Sequence, residues 1–118
     1  MILPGDRLRV QGSWATHEGV AIGPLRSLPG FWVIHNAMAT GVQLVPFERF
    51  SKGKPVTVAY RPPSGMAPII IRRAFSILGK PYKLLDWNCQ DAMEWVFSGR
   101  AESYERDAAL GLGLLLLL

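Results

Sequence analysis

Residues 16–22, Thr16-His17-Glu18-Gly19-Val20-Ala21-Ile22, and residues 31–36, Phe31-Trp32-Val33-Ile34-His35-Asn36, decide how the rest of the chain is read. Both runs carry β-branched residues, and the turn formers Gly23-Pro24 and Pro29-Gly30 stand between them. This is the pattern of two strands joined as an antiparallel hairpin. With the turn centred near Arg26, His17 falls opposite His35, where directly paired Cβ atoms lie about 4.5–5.5 Å apart. Strand side chains alternate, so Gly19, Ala21 and Gly23 share the face of His17. Small residues leave room for a close approach, and a helix end carrying Cys89 is expected to fill it.

Working outward, residues 7–10 alternate as a short strand after Pro4-Gly5-Asp6, and residues 42–45 form a short apolar run. Phe47-Glu48-Arg49-Phe50 reads as one helical turn, and residues 55–60 alternate again until Arg61-Pro62-Pro63. From residue 68 to 78 the pattern turns helical, with Ile71, Ala74, Phe75 and Leu78 at helical spacing, and Gly79-Lys80-Pro81 ends it. The last helix is read over residues 89–98. Asn88 is a favoured N-cap, Asp91 and Glu94 suit the positive end of the helix dipole, and Gly99 is a natural stop. Ala92, Met93 and Val96 follow Cys89 at i+3, i+4 and i+7, so the cysteine sits in the first turn, on or beside the buried stripe. Strands followed by helices predict an α+β domain over residues 1–107, a small antiparallel sheet packed against the helix that bears the cysteine.

The 118 residues support one core, and 49% hydrophobic with 19% charged residues excludes a disordered chain. One Cys excludes an internal disulfide framework and a multi-Cys zinc site. With only two His, three side chains titrate near neutrality. The net charge is +4, unevenly spread: residues 49–83 carry eight basic groups and no acid. Such a stretch can attract anionic lipid or another anion, yet the reading preferred on charge alone is a solvated surface. Nucleic acid is disfavoured, because the aromatics are not interleaved with the basic stretch and no recognition motif appears. Residues 108–118 are apolar and uncharged, short of the roughly 20 residues a spanning helix needs. This tail is read as a truncated anchor, a packing segment or a loose terminus. No signal peptide is legible, so a cytoplasmic location is expected, with membrane contact through the basic middle and the tail.

A thiol at a helix N-terminus has its thiolate stabilised by the dipole and by free backbone N–H groups. His17 can take the thiol proton and return it to a leaving group, with His35 orienting His17. The backbone N–H of Cys89 can help hold an oxyanion. Trp14 and Trp87 lie near His17 and Cys89 in sequence and are candidates to line a substrate groove, while Trp32 and Trp95 read as packing. A buried, inert thiol is the competing reading. A His-His-Cys metal site fits zinc's ligand types but no compact zinc spacing. No metal or cofactor is expected.

Leu78-Gly79-Lys80-Pro81-Tyr82-Lys83-Leu84-Leu85-Asp86-Trp87-Asn88-Cys89-Gln90 resembles the cysteine motif of lecithin:retinol acyltransferase-like proteins, a circularly permuted branch of the papain-like NlpC superfamily. The front half is similar too: Gly5-Asp6, then His17 leading Val20-Ala21-Ile22-Gly23, then Val33-Ile34-His35. The resemblance spans roughly residues 4–103 in order. It implies a permuted papain-like fold, Cys89 as nucleophile, His17 as base and His35 as the polar third member, with Asn88 at the helix cap. It implies a hydrolase or acyltransferase working through an acyl-thioester, on a lipid or another small acyl ester or amide. An NlpC-type peptidase or amidase acting on cell-wall or peptide amide bonds is the alternative, and a non-catalytic module held at a membrane surface is a third reading. Gln90-Asp91 depart from the usual acidic residue and His after the cysteine, so the substrate site is expected to differ from that of the lipid-acting members.

Overall fold

A computed structural model describes residues 1–12, 15–83 and 87–99; Trp14 and the apolar tail over residues 108–118 lie outside them. The alternating stretches become five strands: β1 (Arg7–Gln11), β2 (Thr16–Leu25), β3 (Leu28–Ala37), β4 (Gly41–Pro46) and β5 (Val56–Tyr60). They pair antiparallel in the order β4-β3-β2-β1-β5. Three helices, α1 (Phe47–Ser51), α2 (Ala67–Ser76) and α3 (Cys89–Ser98), complete a small α+β domain.

The two-residue period of the strands sorts apolar side chains onto two faces. On one, Val20, Ile22, Ile34 and Val42 pack with α2 and α3 through Ile70, Ala74, Ala92, Met93 and Val96. On the other, Leu8, Val10, Ala21, Val33 and Val45 pack with Phe50 of α1. Both faces are covered, which is why the middle of β2 is buried without interruption. Each large apolar side chain fully buried this way contributes about 1.5–3 kcal/mol.

The buried stripe of α2 differs from the expected one. Ile70, Ala74 and, just beyond the helix, Ile77 are buried, while Phe75 and Leu78 are exposed. Ile69, Ile70 and Ile71 are consecutive, so apolar spacing alone leaves the rotation of this helix open. Arg73 helps fix it by donating from its guanidinium to the Val96 carbonyl of α3 at 3.2 Å.

The hairpin register also needs correction. His35 pairs with Gly19, not with His17, because the turn closes on Leu25↔Leu28 rather than centring on Arg26, and the irregularities at Ala21/Gly23 and Gly23/Leu25 shift the ladder further. The displacement is two residues, so side-chain parity survives and the two histidines remain on one face as diagonal neighbours. The element that fills the space over Gly19 is also not the cysteine helix. It is α1: a Cβ added at Gly19 would fall 2.9 Å from the Phe50 ring and 2.8 Å from Val33. Helix α3 lies against the opposite face.

Candidate active site

Helix α3 begins at the cysteine because its cap is complete. The Asn88 side-chain oxygen accepts from the N–H groups of Gln90 and Asp91, each at 3.0 Å. The Asp91 carboxylate accepts from the Asn88 N–H at 3.2 Å, closing a capping box. Asn36 anchors the approach to this cap, its amide donating to the Trp87 carbonyl at 2.9 Å. Asn36 is fully buried and directly follows His35, so it ties the histidine strand to the cysteine helix. The sequence reading missed this role, although a polar residue ending an apolar strand was a visible signal.

Cysteine and histidines approach from opposite faces of the sheet, and a parting of two strands lets them meet. Pairing of β1 with β2 continues to Gln11↔Thr16, whereas pairing of β2 with β3 stops at Gly19↔His35. Backbone N–H groups along a strand point alternately to either neighbour. The Ala21 N–H donates to Asp6, on the β1 side, at 2.9 Å. Glu18, of opposite parity, therefore directs its N–H toward β3, where the pairing has ended. The Glu18 backbone acts there on the Cys89 thiol, favouring its ionised form.

On the other face, His17 Nε2 and His35 Nδ1 are 2.6 Å apart, one donating to the other. Their rings meet edge to face at 4.9 Å between centroids, and each lies 5.6 Å from the Phe50 ring. Because His17 uses Nε2 on His35, Nδ1 is its remaining nitrogen. A pocket of about 370 Å³ at the strand ends is lined by His17, Asn36, Met38, Tyr82 and Cys89. Nucleophile and base candidates thus share one wall. Tyr82 is a second pocket residue that sequence reasoning missed; burial, with Cys89 and Asp91 nearby, pushes its phenol up and keeps it protonated.

The resting charges differ from those expected of a thiolate beside an imidazolium. Burial pushes the Cys89 thiol up, and the Glu18 carboxylate adds to this; the N–H groups of Glu18, Cys89 and Gln90 act oppositely without prevailing. Burial lowers His17, helped by the Lys52 charge and opposed by Glu18. His35 falls further, to about 4, through burial, its His17 neighbour and Lys52. A neutral thiol therefore faces a neutral imidazole pair at neutral pH. Burial would also raise the Glu18 carboxyl, but hydrogen bonds and charge from Arg7 and Arg9, at 2.8 and 2.9 Å, outweigh it and hold it ionised.

Trp87 is 2% exposed and packs in the core under Lys80, so it does not line the Cys89 pocket as its sequence position suggested. Trp95 is buried and Trp32 packs at the core margin, as expected. Among the described residues no cluster of three or more His, Cys, Asp or Glu could hold a metal, and no helix is long and apolar enough to cross a membrane. Compared with known proteins, the chain matches no family model and no curated sequence.

Proposed function

We propose that this chain is a cysteine-dependent hydrolase or acyltransferase with a permuted papain-like arrangement, in which Cys89 forms an acyl-thioester, His17 is the general base and His35 its partner. The observation that carries this reading is the shared pocket: Cys89 and His17 line it together, with His17 hydrogen-bonded to His35. The order His17, His35, Cys89 along the chain and the resemblance of the residues around each support it independently.

As an acyl ester or amide enters, the thiol proton passes to His17 Nδ1 while the sulfur attacks the carbonyl carbon. The imidazolium so formed donates through Nε2–H to His35 Nδ1, a hydrogen bond strengthened by charge. The backbone N–H groups of Glu18 and Cys89, which act on the thiol in the resting state, hold the developing oxyanion. Collapse breaks the bond to the alcohol or amine, which leaves with the proton from His17, and Cys89 keeps the acyl group. Water or an acceptor then gives its proton to His17 and attacks the thioester, releasing the thiol.

The test is covalent labelling with a thiol-reactive acyl probe. The proposal predicts labelling of the wild type, none of Cys89→Ala, and at least tenfold slower labelling of His17→Ala. Equal labelling of wild type and His17→Ala would refute the role of His17. Label placed elsewhere than Cys89 would refute the nucleophile.

A further inference from the structure

The pocket at Cys89 is one end of a longer depression. It shares His17 and Met38 with a second pocket of about 380 Å³, whose wall includes His35, Phe50 and Lys52. That pocket shares Gly12 with a third of about 560 Å³, bordered by Arg9, Lys54 and Thr57. No Asp or Glu is among the described residues lining any of the three. The basic stretch of the sequence therefore does not remain wholly a solvated surface. Arg61 is committed to Asp6 at 2.8 Å, Arg73 to the Val96 carbonyl and Lys80 to the Trp87 ring. Lys52 and Lys54 form no ion pair among the described residues, and both border this groove. Of the two, Lys52 is nearer the chemistry, because it lines the same pocket as both histidines. Its backbone is left-handed, at φ 51°, the one such non-glycine among the described residues.

We propose that the substrate carries an anionic oxygen group, a carboxylate or a phosphate, that seats beside Lys52 while its acyl bond lies at Cys89. The inference rests on the proposed acyl chemistry only for the position of the bond that breaks. Lys52 is exposed and borders the pocket lined by Phe50, Met38 and both histidines, and no acid in that lining offsets its charge. That charge favours an anion of matching reach over an uncharged group of the same length. With His17 Nε2–H donated to His35 Nδ1, the neutral His35 ring has its Nε2–H left to donate to the same oxygens.

The test has a binding arm and a kinetic arm, both using the full chain. Lys52→Gly removes the ammonium at a backbone conformation that glycine adopts freely, so the variant is expected to fold. In the binding arm, ring signals of His17 and His35 are followed by NMR during separate titrations with acetate, inorganic phosphate and a monomeric short-chain phosphatidic acid. At least one anion is expected to shift them in the wild type, with the shift lost in Lys52→Gly; the active anion identifies the source. In the kinetic arm, turnover of mono-para-nitrophenyl succinate is compared with that of para-nitrophenyl butyrate. An exposed charged contact of this kind predicts about threefold higher kcat/KM for the anionic ester, falling to about equal in Lys52→Gly. Failure of all three anions to move the rings, or a preference identical in wild type and variant, would overturn the proposal. Ring shifts that depend on Lys52, without turnover of either ester, would uphold the anion site and count against the acyl chemistry.

Discussion

His35 lowered to about 4 has a consequence for the folded state as a whole. A histidine in the unfolded chain titrates near 6.5, so between about pH 6.5 and 4 the unfolded form binds a proton that the native form refuses. Stability therefore falls as pH drops through that window, by roughly 2–3 kcal/mol from this side chain if taken alone. Urea melts at pH 7 and pH 5 would show the loss, and His35→Gln would flatten the difference. A wild type equally stable at both values would contradict the buried neutral pair. The thiol obeys the opposite sign: burial raises it, so the thiolate is the minor form at neutrality. Alkylation of Cys89 by iodoacetamide should keep accelerating beyond pH 9. A plateau below pH 8 would mean that the helix N-terminus had prevailed over burial.

At the level of elements, the site depends on how β2 and β3 part after Gly19↔His35 and on what packs over that pair. Gly19 admits the Phe50 ring beside both imidazoles, and its surroundings are buried side chains and the Ile34 carbonyl. Gly19→Ala would press a methyl into Val33 and Phe50 and should destabilise by about 1–3 kcal/mol, measurable as a lower denaturation midpoint. An unchanged midpoint would mean that α1 lifts away easily. Strand and helix positions were legible because alternation, Pro/Gly punctuation and the Asn88 cap are local signals. The register was not, since β-bulges leave no mark on apolar alternation. Nor was the side on which Cys89 arrives, because small residues at Gly19 and Ala21 invite any partner, and Phe50 of α1 is the one that occupies it.

Across the whole molecule, a sheet buried on both faces carries the two halves of the proposed chemistry on opposite sides. The sequence singled out Cys89, His17 and His35 as candidates, yet could not announce the gap through which Cys89 and His17 share a pocket. That gap depends on where the β2–β3 ladder ends, a feature of three-dimensional pairing rather than composition. Charge spacing was likewise mute on convergence: three of the eight basic residues are spent on Asp6, a helix carbonyl and an indole, and two border the groove. The most direct test of the proposed acyl-enzyme is the intact mass of the protein, acid-quenched during turnover of para-nitrophenyl butyrate or its succinate counterpart. The account predicts a species heavier by one acyl group, mapped to Cys89, released by hydroxylamine and absent from Cys89→Ala. Product formation with no acylated protein, or an acyl group that persists in Cys89→Ala, would contradict it.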